Sequence, residues 1–229
     1  MEEVVVKSVL IIINNKDDAE YLPDVLDSIV GQINQDFSIV GIDAGSKDES
    51  ADIYNQYDVP VVDCTGLNQA QSVNKVLRMT DEPFIGWINA DDIYKENYIS
   101  SHLYEFKDPT VGIVYSDYDI FWQEFPARRK IRTRIGNIDK LFKEGKNPIA
   151  HPTVMIRRSV FDRIGLLDES LTYVIDYEFW LRAWKNNVKF KHIVYSTAEF
   201  RVRKDSLTNT RRECILAEMK QVQRRYLGG

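Results

Sequence analysis

The first half of this chain alternates apolar runs with stretches of helical spacing, and that alternation predicts its architecture. Residues 8–13 form an apolar strand, followed over 14–19 by a polar loop carrying Asp17 and Asp18. Over 20–33 the stripe Leu22, Val25, Leu26, Ile29 and Val30 recurs at helical intervals. A second strand over 37–42 closes on Asp43-Ala44-Gly45-Ser46-Lys47-Asp48, and a helix over 46–57 starts there, capped near Ser46 or Asp48. A short strand at 59–62, a helix over 68–78 and a strand over 84–89 follow. Such repetition with short connections implies parallel pairing and right-handed crossovers in a doubly wound α/β sheet. Ligands bind beyond the carboxyl ends of strands in these sheets, where Asn14, Asp43 and Asp91 are expected to converge.

The second half is less regular. Residues 111–122 read as a strand with aromatic alternation, and 123–146 as a basic, loop-like region with Arg128, Arg129, Lys130, Arg132 and Arg134. That charge run suits a solvated surface, or a site for a phosphate-bearing acceptor or a membrane surface. A strand over 151–157, a short helix over 159–165 ending at Gly165, a helix over 175–185 and a strand over 188–195 come next. The last helix, 209–226, sets Ile215, Leu216, Met219, Val222 and Tyr226 on one face.

The strongest chemical signal is Phe84-Ile85-Gly86-Trp87-Ile88-Asn89-Ala90-Asp91-Asp92, an apolar strand delivering two adjacent carboxylates at its end. Two ionised carboxylates side by side repel, and a divalent cation with positions left for substrate phosphates relieves that repulsion. A helix start, where Asp is favoured by capping and by the dipole, explains the same pair without a cation.

Composition narrows the remaining choices. The 229 residues suit one sizeable domain, and 35 acidic against 30 basic residues give no support to a nucleic-acid partner. Cys64 and Cys214 are too few for a disulfide framework or a metal knuckle. The acidic start, Met1-Glu2-Glu3, lacks the basic residues of a signal peptide, and no apolar stretch is long enough to span a bilayer. A cytoplasmic setting is expected, with peripheral membrane contact left open.

Four segments in this order and spacing resemble glycosyltransferase family 2, of the GT-A fold. They are Ser8-Val9-Leu10-Ile11-Ile12; the run from Gln35 to Asp43-Ala44-Gly45-Ser46-Lys47-Asp48; Gly66-Leu67-Asn68-Gln69-Ala70-Gln71-Ser72-Val73-Asn74-Lys75 leading into Asn89-Ala90-Asp91-Asp92; and His151-Pro152-Thr153 with Gly165-Leu166-Leu167-Asp168-Glu169 and Asp176-Tyr177-Glu178-Phe179-Trp180. The resemblance implies a Rossmann-like, mostly parallel central sheet with helices on both faces and a smaller acceptor-side region. Within one domain it divides the chain into a nucleotide-sugar-binding half (1–95), an acceptor and catalytic half (96–208) and a C-terminal helix (209–229).

The implied reaction moves a sugar from a UDP, GDP or dTDP sugar to a hydroxyl of a glycan or lipid-linked acceptor, with inversion and with Mn²⁺ or Mg²⁺. Asp92 matches the family's metal ligand and Asp91 the acid beside it, while Asn89 replaces the first acid of the usual DxD signature. Asn14 and Asp43 fall where the donor base is recognised, and Ala44 replaces an acid that contacts uracil in some members. Asn68, Gln71 and Asn74 are expected on one helix face toward the donor, a pattern a plain polar helix surface also produces. Asp176 matches the general base and Glu178 stands in reserve, although a helix cap also explains Asp176. Asp168, Tyr177 and His151 are expected near the acceptor. Phe200-Arg201-Val202-Arg203 resembles a late segment in which His is common at the Arg203 position. An arginine there cannot ligate a metal but can pair with phosphate, so Arg201 or Arg203 is expected on the diphosphate. Two other classes share such a fold. A sugar nucleotidyltransferase wants a glycine-rich loop after the first strand, where this chain has Asn14-Asn15-Lys16-Asp17-Asp18. A non-catalytic binding or scaffold domain is favoured by Asn89 and Ala44.

Overall fold

The computed structural model describes residues 7–122 and 131–228, so Arg128, Arg129 and Lys130 of the basic run lie outside the described residues. The first half contains β1 (Val9–Asn15), α1 (Leu22–Val30), β2 (Phe37–Asp43), α2 (Ser50–Gln56), β3 (Val61–Asp63), α3 (Gln69–Leu77) and β4 (Phe84–Asn89). Beyond it come β5 (Ile93–Tyr94), α4 (Tyr98–Glu105), β6 (Val111–Trp122), β7 (Ile131–Thr133), α5 (Ile138–Lys143), β8 (Val154–Arg157), α6 (Arg158–Ile164), α7 (Ile175–Lys185), β9 (Lys189–Val202), α8 (Leu207–Thr210) and α9 (Arg212–Leu227). Among the described residues the nine strands join one sheet in the order β3-β2-β1-β4-β8-β6-β9-β5, with β7 on β6. Pairing is parallel from β3 through β4 and again between β6 and β9, and antiparallel where β8, β7 and β5 attach.

Strand periodicity separates the core into two layers. Val9, Ile11 and Ile13 face α1 and α4, meeting Leu22, Val25, Leu26, Ile29 and Ile99. Leu10 and Ile12 face the other way, toward Val73 and Val76 of α3 and the cluster around Phe179, Trp180 and Val222. Because β1 is covered on both sides its sequence is apolar without alternation. The resulting α/β/α sandwich is the layering the sequence predicts.

Several boundaries differ from the sequence reading for identifiable reasons. Proline lacks the amide that a ladder needs. Pro60 therefore delays β3 to Val61, and Pro152 turns His151–Thr153 into a single 3-10 turn before β8. Within the supposed loop over 123–146, Asn137 caps a short helix by accepting a bond from Lys140 N at 3.0 Å, and Phe142 of that helix is fully buried. Its lysines had hidden the apolar spacing. The strand over 188–195 runs on to Val202, carried by its parallel pairing to β6. On α9, Val222 is buried but Leu216 is 48 % exposed and does not share the packed face. Among the described residues no helix is long and apolar enough to cross a membrane.

Candidate active site

The carboxyl ends of β1, β2 and β4 lie side by side, with Asn14 opposite both Ile42 and Asn89 and Asn15 opposite Asp43. Asp43 shapes the turn that follows it: its Oδ1 accepts bonds from Ser46 N (3.0 Å) and Ser46 Oγ (2.5 Å). Gly45 adopts φ 87°, a conformation that favours glycine, and Ser46 Oγ in turn accepts Asn15 Nδ2 and Asp17 N. Asn14 differs from these neighbours, because both polar atoms of its amide are buried and lack a partner. Gln69, which the sequence did not single out, donates from Nε2 to Asn89 Oδ1 at 2.9 Å.

The acidic pair sits just past β4. Asp92 is 1 % exposed; its Oδ1 accepts the amide of Arg201 at 3.1 Å, and its Oδ2 is buried without a partner. Burial, reinforced by the charge of Asp91, pushes its carboxyl well above the usual range. Asp91 is also raised by burial, with Arg203 opposing the rise. Strand alternation puts Arg201 and Arg203 on one face of β9, yet their surroundings separate their roles. Arg201 is fully buried, donates to the Asp91 carbonyl and to Asp24 at 2.7 Å each, and lies against Tyr21 and Phe121. It braces the turn from behind. Arg203 lies farther out, 2.5 Å from Asp18 and 3.2 Å from Asp91 Oδ2, with its guanidinium over the Tyr21 ring. Burial disfavours its charge, but Asp18, Asp91 and Asp205 outweigh that and hold it above the ordinary arginine value. In the sequence Asp18 stood out only as part of a polar loop, and Tyr21 and Asp24 only as the approach to a helix.

A second cluster surrounds Asp176 in the first turn of α7. Its Oδ1 accepts Tyr177 N at 2.7 Å and its Oδ2 accepts Asn147 Nδ2 at 3.2 Å, while burial raises its pKa. The approach to this helix is held by α9. Glu218 accepts the amides of Thr172, Tyr173 and Val174 at 2.6–2.9 Å. Glu178 is placed otherwise: it is 1 % exposed, meets Arg182 through both oxygens at 3.0 Å, and accepts Tyr226 Oη. That geometry gives it a structural part. Glu178→Ala is expected to cost about 3–5 kcal/mol, because the half-buried Arg182 would lose its counter-ion and keep only backbone carbonyls as partners. Urea denaturation checks this, and a variant of unchanged stability but lost activity would return Glu178 to the chemistry.

The other residues singled out in the sequence have these surroundings. Asp168 is bound by Ser170 and by Arg225 of α9, and Tyr177 is fully buried in the core. His151 lies in the 3-10 turn, its ring 5.2 Å from that of Trp87; its shielded Nε2 lacks a partner, and burial lowers its pKa to about 4. Asn68 and Gln71 close a reciprocal capping box at the start of α3, which the Asn-x-x-Gln spacing could have announced. Asn68 also donates to Glu169 O, and the buried Asn74 bonds Leu167 in both directions. Asn68 and Asn74 thus tie α3 to the 167–171 loop, whereas Gln71 bonds Asn68.

Among the described residues no three His, Cys, Asp or Glu side chains are grouped to hold a metal. A cation that keeps waters and substrate phosphates needs only one or two carboxylates from the protein. Asp92, with one buried oxygen unpartnered beside a second acid, fits that requirement.

The profile of Glycosyl transferase family 2 matches residues 8–165. An uncharacterized glycosyltransferase of Rickettsia prowazekii is 26 % identical over 212 residues, covering 88 % of this chain and 66 % of that protein. A PGL/p-HBAD biosynthesis glycosyltransferase of Mycobacterium bovis is 26 % identical over 202 residues, covering 82 % and 75 %. The mannosyltransferase PcManGT of Pyrobaculum calidifontis, solved with GDP-Man and Mn²⁺, superposes with a TM-score of 0.75 at 16 % identity, covering 97 % of this chain and 65 % of that one. TarS of S. aureus with UDP-GlcNAc gives 0.72 at 13 % identity, covering 96 % and 73 %. These structural likenesses show a shared GT-A fold. The chain thus spans about two thirds of the length of the Rickettsia relative.

Proposed function

This chain belongs to glycosyltransferase family 2, and from that membership we propose that it transfers a sugar from a nucleoside-diphosphate sugar to an acceptor hydroxyl, with inversion and with a divalent cation. The observation that carries the reading is the orphaned, buried Oδ2 of Asp92, placed beside Asp91 at the carboxyl end of β4. Asp91 and Asp92 would hold the Mn²⁺ or Mg²⁺, which supplies Lewis-acid stabilisation of the departing diphosphate. Arg203, at the mouth of the same cluster, pairs with phosphate oxygens. Asn14, with its unpartnered amide, and the Asp43 turn receive the nucleoside. Arg201 does not reach the diphosphate in this reading; it sets the conformation of the Asp91–Asp92 turn.

Inversion needs one displacement, so the acceptor hydroxyl must lose its proton as it attacks. Asp176 receives that proton on the acceptor side. Its neutral form is favoured by burial, which makes it a stronger base than an exposed carboxylate. A glycan or lipid-linked hydroxyl is the acceptor class, in keeping with the biosynthetic glycosyltransferase among the relatives.

The test is a thermal-shift panel of UDP, GDP, dTDP and CDP with Mn²⁺, with Mg²⁺ and with chelator. Ligand at one hundred times its Kd stabilises the native state by about 2.7 kcal/mol. One nucleotide is expected to raise the melting temperature, with the rise lost on chelation. A folded protein that no nucleotide stabilises would instead be a binding or scaffold member of the fold.

A further inference from the structure

Arg203 is anchored on one side and loose on the other. Its Nη1 donates to Asp18 at 2.5 Å, whereas its Nε lies 3.2 Å from Asp91 Oδ2 at ion-pair distance without hydrogen-bond alignment. Asp205 stands 3.6 Å away, and the Tyr21 ring backs the guanidinium at 4.7 Å. The side chains of Arg203, Asp18 and Asp91 are each less than 20 % exposed, so water screens their interaction poorly. A fixed positive charge therefore stands at the carboxylate that a cation must approach. It does not complete the cluster, because Asp92 Oδ2 remains unpartnered beside it.

We infer that Arg203 is a built-in counter-cation of the acidic pair, held in place by Asp18, so that the nucleotide-free protein binds divalent cations weakly and takes them up together with a diphosphate. The diphosphate oxygens offer Arg203 a stronger anionic partner than the unaligned Asp91 contact, drawing its charge away from the carboxylate. Cation affinity is thereby made conditional on donor. The inference rests on the reading that Asp91 and Asp92 hold the cation and that Arg203 meets the diphosphate.

Removing one unit charge about 3 Å from a shielded carboxylate is large compared with thermal energy, so its effect on a divalent ion is expected to be about tenfold or more. The experiment measures Mn²⁺ binding, by the electron paramagnetic resonance signal of free Mn²⁺, in wild type, Arg203→Gln, Arg203→Lys and Asp92→Asn. Each protein is titrated alone and with UDP or GDP. Arg203→Gln is expected to bind Mn²⁺ alone at least about tenfold more tightly, yet to bind the nucleotide with Mn²⁺ about tenfold more weakly. Arg203→Lys, which keeps the charge, should follow wild type in Mn²⁺ affinity. Misfolding would weaken both affinities and cannot produce opposite changes.

Unchanged or weaker Mn²⁺ binding by Arg203→Gln would overturn the inference. So would a wild-type protein that binds Mn²⁺ as tightly without nucleotide as with it. If Asp92→Asn retains full Mn²⁺ binding in the presence of nucleotide, the fault lies instead with the assignment of the acidic pair as the cation site.

Discussion

Asp92→Asn should abolish sugar transfer and at the same time raise the melting temperature of the nucleotide-free protein. Both effects have one cause. Asp92 brings a carboxylate into a shielded position where one oxygen has no partner and Asp91 adds like charge. Its folded-state pKa is raised above the unfolded value, so its ionisation favours the unfolded chain. Native stability from this group is fully present below the ordinary carboxylate pKa and is lost as pH rises through the raised value. Asparagine keeps the shape without the charge, and a gain of about 1–3 kcal/mol is expected near neutral pH, shrinking toward zero in acid. Melting curves from pH 4 to pH 8 in chelator would show the two proteins diverging as pH rises. Parallel curves, or a variant that melts lower throughout, would mean the buried charge is not a cost. Transfer should be undetectable in the variant because, in the proposed function, Asp92 holds the cation through the charge that asparagine lacks.

The second large effect is expected at Asp176. Asp176→Asn should lower kcat by about 10²–10⁴-fold, the usual scale for losing a general base, with nucleotide affinity nearly unchanged. Burial raises the Asp176 pKa, so the acid limb of the wild-type kcat–pH profile should fall above the ordinary aspartate value of about 3.9. Asn147 donates to the charged form and holds that pKa down; its replacement by Ala should move the limb to higher pH. Retention of kcat by Asp176→Asn would place proton removal elsewhere. A limb that stays fixed in the Asn147 variant would belong to another group.

The parts of this structure readable in the sequence are those where one local pattern has one physical meaning. The unbroken apolar run of β1, the stripe of α1 and the acids after β4 each marked an element or a turn that the fold retains. Acidic residues two positions apart on a helix were harder. Asp176 and Glu178 look alike as acids, and only the tertiary partners Arg182 and Tyr226 show that Glu178 is committed to packing. Arg201 and Arg203 posed the same difficulty, since depth along a strand is invisible in its alternation. Asn68, Gln71 and Asn74 were expected on one face toward the donor, but Asn68 and Asn74 bond a loop about a hundred residues away in sequence. Asp18 was read only as part of a polar loop because its partner on β9 is more distant still.

The parallel pairing of β6 with β9 has a consequence for how this protein can be cut. The family match ends at residue 165, before β9 begins at Lys189. β9 covers one side of β6 along nearly its whole length and also supplies the partner of β5. A fragment trimmed at the match boundary would lose both site arginines and leave a twelve-residue strand with a row of unpaired amides and carbonyls. Such a row invites pairing between copies, so the trimmed protein would self-associate rather than report on the first half of the fold. The smallest folding unit is therefore set by the strand ladder, and extends past the residues by which the family is recognised.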